Sequence, residues 1–452
     1  TSFANALPLD TASGAAAAYS LRNLSSSYTG SVVEVRRSSD GALRSFTAAE
    51  VTHNTLVAWV TAETLLYTSN FSTSNTDGWS SANCTIVSNI DKDSDGAGQP
   101  PSDNWLRISA NDRISIRDND PLMVDISPLG GGTYKIDVDY YAPVSVSGHR
   151  AIAFTSSGNI QSGAVNFSAG SGTKTYVLAL TDAQVSGLTD LRIGSTQNYA
   201  TGTLLYLKNI RVRKTDANGT VSKWYDQSGN DKHATQGTPA SQPKIVDAGY
   251  FIHTGIMPDG QLSPPALKFD GVNDNLQYNY AITNPTSGSI FSIFNNAATS
   301  NSGVVFGIRS GTRDLIQLTS QNENESVIQV RDSGNVLANA VASSPSSLNT
   351  NLSSAIFNKA TSIYDINVNG GQFSGSSSTV LTGGITASKA TIGGTDTGTS
   401  VSAALTGTIQ EIIYYNSDQS DKRRAIEENI GSTYGITLTS SKDGTVSKWY
   451  DQ

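Results

Sequence analysis

Three stretches of this sequence hold residues whose types and spacing could do chemistry. The run DKDSDGAGQPPSD at 91–103 sets Asp91, Asp93 and Asp95 at alternating places and a glycine sixth. That is the opening of a loop that wraps a hard cation in oxygen ligands, so Ca2+ is the cofactor this spacing predicts. Its twelfth place is Ser102 instead of a bidentate Glu, and the competing reading is a plain acidic loop. A second set is aromatic: Trp79, Trp105, Tyr140, Tyr141 and Tyr199. Flat apolar rings stack on pyranose faces, and exposed aromatics are informative because leaving them in water is unfavourable. Core packing competes here too, and strand alternation must claim about half of them. Trp79, beside Gly78 in a polar turn, is the first choice for a sugar platform. The third stretch is WYDQSGNDKH at 224–233. Asp226 and Asn230 read as side chains that bond a tight turn, Trp224 and Tyr225 as sandwich filling, and His233 as a structural histidine rather than a general base.

Those residues must be held by something, and composition bounds what. The chain has 452 residues, 37% of them apolar and 15% charged, with a net charge of −8. Ser, Thr, Gly, Asn and Asp dominate the remainder, which suits turns and strands with one solvated face. Recurring Val, Ile, Tyr and Phe argue against disorder. No basic stripe offsets the negative charge, which excludes a nucleic-acid partner, since that binding runs on Lys and Arg contacts to phosphate. No stretch approaches 18 continuous apolar residues, so no membrane-spanning helix is predicted. GAAAAYSL is too short and interrupted for the core of a signal peptide. The lone Cys84 rules out an intrachain disulfide, and four scattered histidines make a histidine metal centre improbable. Low Cys and Lys with abundant Ser, Thr and Gly suit a virion or a bacterial surface.

The pattern predicts an all-β fold in two bodies. GAAAAYSLRNL at 14–24 reads as a short helix, SVVEVRRSS as a half-buried strand and LVAWV at 56–60 as another strand. From 63 to 214, short runs such as NWLRIS, TYKIDVDYYA and TYVLALT recur between Gly, Asn and Asp turns, as in an antiparallel sandwich. After 215 comes a long β-rich stretch from ALKFDGVNDNLQY to GTIQEIIYYN. One amphipathic helix follows, with Ser417 or Asp418 as cap, Ala425, Ile426, Ile430 and Tyr434 on one face and Gly435 as stop.

Particular phrases resemble known families. NFST…GW and LYLKNIRVR, at the two ends of 63–214, resemble jelly-roll carbohydrate-binding modules, which often hold a structural calcium. FDGVNDNLQY and EIIYYNSDQSDKRRAIEENIGSTYGI resemble the concanavalin A-like, laminin-G-type sandwich. AAAAYSLRNLSSSYTGSVVEVRRSSDG together with WYDQSGNDKHATQ resembles the catalytic domain of arabinofuranosidase B, itself concanavalin A-like. Together these imply a concanavalin A-like β-sandwich over 1–61 plus 215–437, an inserted jelly-roll β-sandwich over 63–214, and a linker over 438–452. The retaining chemistry of the arabinofuranosidase family needs two carboxylates flanking the sugar. The matching strand, NPTSGSIFSIFNN, holds neither Asp nor Glu, and Thr395 stands where the acid/base is expected, with Asp396 one place on. A one-residue shift in a strand turns a side chain to the other face, so the resemblance implies no catalytic residues here.

GTVSKWYDQ occurs at Gly219–Gln227 and again at Gly444–Gln452. Two expectations follow: a next module of the same kind begins at the second copy, or that copy is donated as a strand to a neighbour. Joining such a front segment to a laminin-G-like sandwich with a changeable insert resembles structural proteins of tailed-phage virions, tail fibres and decorations among them. The resemblance implies a non-enzymatic virion or cell-surface protein that binds glycans, with other copies or other virion proteins as partners in a homo-oligomer or tandem array. The alternatives are a glycoside hydrolase with a relocated pair, Asp396 and Glu411, and a purely structural module.

Overall fold

The computed structural model describes residues 6–62, 64–69, 71, 76–81, 84–90, 104–118, 130–156, 158–195, 197–215, 217–297, 303–310, 313–321, 325–343, 350–371, 373–396 and 401–439. The candidate calcium ligands Asp91, Asp93 and Asp95 and the second GTVSKWYDQ lie outside the described residues. The chain divides into two compact units: a host of Thr1–Arg36, Leu43–Trp59 and Asn218–Gln452, and an inserted unit of Arg37–Ala42 and Val60–Ala217. Both are all-β.

In the host, the first sheet runs in the order Gly219–Trp224, Ala234–Thr235, Leu276–Thr283, Thr386–Ile392, Gly303–Ser310, Arg313–Gln321, Glu325–Arg331, Leu337–Ser343, antiparallel throughout. The second is built on Thr406–Tyr415. Ala17–Ser20 and Leu267–Asp270 share one of its edges. Across its other edge stand Ser287–Asn296, Asn351–Asn358, Ile363–Val368 and Gly375–Ser377. Aromatic rings fill the space between the sheets: Phe306 meets Tyr414 at 5.4 Å, Tyr280 meets Tyr414 at 6.0 Å, and Tyr19 meets Trp224 at 5.6 Å between centroids. Each such fully buried apolar side chain stabilises the fold by about 1.5–3 kcal/mol.

The far side of the second sheet is covered. The helix Arg423–Tyr434 lays Ile426, Ile430 and Tyr434 on Phe291, Ile293, Leu352, Ile413 and Tyr415. It ends where the sequence places its stop, at Gly435 with φ 66°, but starts at Lys422 instead of Ser417 or Asp418, and Ala425 is only half-buried.

Two expected elements are corrected. Ala17–Ser20 is a strand, not part of a helix: all four residues are buried, and they pair with Glu411–Tyr414. Alanine's helix preference is worth less than 1 kcal/mol per residue, which a full ladder overrides. The run 56–60 is not a strand but lies in the helix Thr55–Thr61. Leu56 and Val60, four apart, are its buried positions.

The front segment is tied to the rear by backbone and side chains. The Ser31–Arg37 strand pairs with Gly219–Trp224, and the Tyr225 N–H donates to the Val32 carbonyl at 3.0 Å. Asp226 is the main staple. Its carboxylate accepts from the N–H groups of Ala18 (2.8 Å), Ser228 (3.0 Å) and Lys232 (3.0 Å) and from the Ser228 hydroxyl (2.8 Å). Gln227 accepts from the Leu24 N–H and donates to the carbonyls of Ser20 and Arg22, while Asn230 donates to that of Ala15. The YDQSGN phrase bonds a tight turn, as its turn chemistry predicts, and it also clasps residues 15–24.

In the inserted unit, one sheet runs Gly170–Leu180, Gly132–Ala142, Leu204–Lys214, Trp105–Ala110, Cys84–Ile90, with Thr64–Ser69 also against Leu204–Lys214. The other runs Gly158–Gln161, Val146–Thr155, Leu188–Ser195, Ser115–Asp118, Trp79–Ser81. One apolar core from Phe71 to Val212 is shared between them.

Candidate ligand-binding face

Residues directly opposite one another in neighbouring strands point to the same face of a sheet. Following the register across the host's first sheet gives a line over all eight strands: Lys223, Thr235, Gln277, Thr391, Gly307, Gln317, Gln329, Asn339. None of the eight is a large apolar residue. The line one residue along reads Tyr278, Ala390, Ile308, Ile316, Val330, Ala338, and every member is buried in the core. Along these two lines, period-2 alternation sends the large apolar side chains to one face and the amides to the other.

The amides are ordered among themselves. The Gln317 Nε2 donates to Gln329 Oε1 at 2.5 Å, and the Gln329 Nε2 donates to Asn339 Oδ1 at 3.1 Å. An amide carries two N–H donors and an oxygen with two lone pairs, so each keeps capacity to spare. Gly307 stands between Thr391 and Gln317, where an added Cβ would meet Val304 Cγ1 at 3.3 Å. The Thr391 hydroxyl and Gln277 Oε1 are buried and lack a hydrogen-bond partner. Leaving such groups unpaired costs about 1–3 kcal/mol each.

A parallel line continues the face with Asn279, Lys389 and Arg309, then Leu315, Arg331 and Leu337 beyond an irregularity at Ile308–Ser310. At one end, Asp231, Lys232, His233, Thr235, Gln277, Asn279 and Lys389 line a cleft of about 400 Å³. His233 packs its ring edge on Tyr225 at 5.0 Å and accepts the Asp226 N–H through Nδ1, so it is fixed in place. Tyr225 is half-buried, and its hydroxyl meets that of Ser45 at 2.8 Å, so it is not sandwich filling.

The aromatic residues singled out in the sequence lie in the inserted unit and divide. Trp79 is 1% exposed, and its indole N–H donates to the Tyr67 hydroxyl at 3.1 Å. It is a core residue and cannot be a sugar platform, because the strand that starts at Trp79 turns it inward. Tyr140 is in the same core, edge-on to Phe167 at 4.7 Å. Trp105 and Tyr141 come together outside that core, in a small cluster with Tyr206 and Leu204. Trp105 is itself buried under this packing, with the Lys208 ammonium 5.6 Å from its ring, so only Tyr141 of that cluster is half-open among the predicted residues. Tyr199 stands elsewhere, bonded to the Ser147 carbonyl and 6.2 Å from the His149 ring.

Of the carboxylates weighed as a relocated pair, Glu411 is fully buried in the host. It accepts from the Ser20 hydroxyl (3.0 Å), Arg22 Nε (2.8 Å) and Nη2 (3.0 Å), and the Tyr434 hydroxyl (3.0 Å). Asp396 ends the two-residue strand Thr395–Asp396, which pairs with Val401–Ser402, and its side chain is outside the described ones. Asp270 and Asp274 form a tight turn: Asp270 accepts the N–H groups of Val272, Asn273 and Asp274, and Asp274 accepts that of Asp270. Burial, with Asp270 beside it, pushes the Asp274 carboxyl up to about 7. Among the described residues no group of three or more His, Cys, Asp or Glu is placed to hold a metal.

No family model matches the chain, and no curated protein matches it. Among solved structures, the chain is similar to the Ruminococcus gnavus IT-sialidase CBM40 bound to alpha2,3 sialyllactose, with 15% identity over 36% of this chain and 98% of that one, TM-score 0.28. It is also similar to a leech intramolecular trans-sialidase complexed with 2,7-anhydro-Neu5Ac, with 15% identity over 39% of this chain and 28% of that one, TM-score 0.29. A third is the NanB sialidase from Streptococcus pneumoniae, with 16% identity over 35% of this chain and 26% of that one, TM-score 0.27. Likenesses of this size carry no argument about ligand or chemistry.

Proposed function

We propose that this chain is a non-enzymatic glycan-binding protein whose ligand lies along the amide-bearing face of the host sandwich. One observation carries the reading: an unbroken register line of eight strands without a large apolar side chain, on the face of the host's first sheet opposite its buried line. Saccharide hydroxyls each donate and accept, and an ordered row of amides offers both functions at the strand spacing. A glycosidase of either stereochemistry needs two carboxyl groups roughly 5 to 9.5 Å apart across the sugar. Neither line of this face contains Asp or Glu. The saturated hydrogen bonding of Glu411 also speaks against a relocated pair. Attachment at a virion or cell surface, with several weak sites acting together, is the role the sequence resemblances support.

The test is a glycan array probed with the whole chain, alongside reducing-sugar release from arabinan. Binding without sugar release is expected. A Gln317→Ala, Gln329→Ala double variant with an unchanged melting temperature should bind about tenfold more weakly, the loss of two or so modest hydrogen bonds. Sugar release would establish the hydrolase instead, and silence on the array would leave a structural module.

A further inference from the structure

A second cleft in the host shares no residue with the amide face. Its volume of about 540 Å³ lies within the roughly 300–1,000 Å³ usual for small-ligand sites. Leu21, Val51, Phe251, Met257, Leu262 and Pro264 give it apolar walls. Leu262 is 59% exposed, apolar surface left in water where a ligand would cover it. Two polar side chains in the lining, His253 and Arg22, are held in place by bonds to the protein. The His253 Nδ1 lies 2.5 Å from the Ser263 carbonyl oxygen, which can only accept. Nδ1 therefore carries the proton, and the neutral ring presents Nε2 as an acceptor. Arg22 gives Nε and Nη2 to Glu411, at 2.8 and 3.0 Å, and its Cζ stands 5.7 Å from the centre of the Tyr434 ring. A guanidinium has five N–H donors, more than that carboxylate takes, and the side chain keeps 19% of its surface exposed. Glu411 cancels the Arg22 charge, and among the described residues no Asp, Glu or Lys lines the cleft. The group that fits is uncharged, with an oxygen for Arg22, an N–H for His253 and an apolar end for the walls. An acetamido group carries all three in one planar unit. The rim adds Thr52, Asn54 and Gln261, all exposed, as partners for ring hydroxyls.

We infer that this cleft is a second saccharide site, which takes an N-acetylated sugar by its acetamido group. The carbonyl accepts from Arg22, the N–H donates to His253 Nε2, and the methyl packs on Phe251, Met257 and Leu262. A peptide offers the same amide but no ring hydroxyls for the polar rim, which is why a sugar is assigned. The site stands apart from the amide face and does not depend on it.

The experiment is calorimetry and ligand-observed saturation-transfer NMR of the full chain with four probes: N-acetylglucosamine trimer, the same trimer without its acetyl groups, cellotriose, and N-acetylalanine methylamide. Two modest hydrogen bonds and a buried methyl predict that the acetylated trimer binds about tenfold tighter than the other three, its acetyl methyl receiving the strongest saturation. His253→Leu keeps apolar bulk but cannot accept a hydrogen bond, and should weaken that binding about tenfold. Leu262→Ser, at an exposed position, should weaken it about threefold with the melting temperature unchanged. The Gln317→Ala, Gln329→Ala variant should bind the trimer as the parent does. Equal binding of cellotriose or the deacetylated trimer overturns acetamido recognition, and equal binding of N-acetylalanine methylamide overturns the sugar assignment. No binding of the trimer, or binding that neither His253→Leu nor Leu262→Ser changes, removes the site and leaves the amide-face reading untouched. Loss of trimer binding in the amide-face variant also overturns the inference, because the acetylated sugar then lies on that face.

Discussion

His149 shows how much a single buried side chain can impose on a sandwich. It is 1% exposed in the inserted unit, ring against Phe167 and Tyr199, and neither ring nitrogen has a hydrogen-bond partner. Desolvation pushes its pKa down to about 3 from the ordinary 6.5. The unfolded chain takes up a proton below about pH 6.5 that the folded one refuses until about pH 3, so stability is lost as pH falls through this window. By pH 5 the loss amounts to about 2 kcal/mol. A His149→Leu variant should therefore melt with a much smaller difference between pH 7 and pH 5 than the parent; an unchanged difference would show that other groups drive acid unfolding. Asp226 is the opposite case. Its bonds from Ser228 and Lys232 were legible in the sequence as turn chemistry, because Asp, Ser, Gly and Asn at close spacing can be read locally, whereas the Ala18 N–H comes from the far front of the chain. Nothing comparable marks His149, whose partners arrive from strands far apart in the chain.

Elements were legible where their pattern was periodic and local. The last helix announces itself by Ile426, Ile430 and Tyr434 at four-residue spacing and by a glycine after it. Its start was misplaced because Ser417 and Asp418 bond other parts of the turn: the Ser417 hydroxyl accepts from Gln419 Nε2, and Asp418 accepts the Ser420 N–H. Gly435 is the stop because its φ of 66° is left-handed, and because a side chain there has no room. An added Cβ would lie 2.9 Å from Pro258 Cδ and 3.0 Å from Met257 Cβ. Left-handed backbone alone costs a non-glycine residue about 1 kcal/mol, and the clash adds to it. Gly435→Ala should lower the unfolding free energy by about 2 kcal/mol in urea titration. A change under half of that would mean the 257–258 loop yields freely. The two misread runs, 17–20 and 56–60, lack such local evidence. Four small buried residues in a row fit helix and strand alike, and only the partner strand at 411–414 decides between them.

At the scale of the molecule, the amide line could not be read from sequence at all, because it is a register across strands that span from Lys223 to Thr391 and each contributes one residue. The aromatic signal was legible but misleading: Trp79 and Tyr140 stand out in composition because they fill a core. What the sequence does carry at this scale is the insertion, and its physical basis is visible inside the inserted unit. The strand by which the chain enters, Thr64–Ser69, is antiparallel to the one by which it leaves, Leu204–Lys214, with Thr64 opposite Lys214. Paired Cα atoms in such a ladder are about 4.5 to 5.5 Å apart. Entry and exit are thus neighbours, as they must be for a domain placed in a loop of another. Replacing residues 63–216 by a short Gly-Ser linker should then leave the host folded, since closing its loop over so small a gap costs little chain entropy. The excised host and the isolated 63–215 segment should each give dispersed amide spectra and one cooperative melt. The host clasp of Asp226 on Ala18 spans the excised region in sequence but not in space, so it should still form. A host that is unfolded after excision would mean that the two units are one cooperative body.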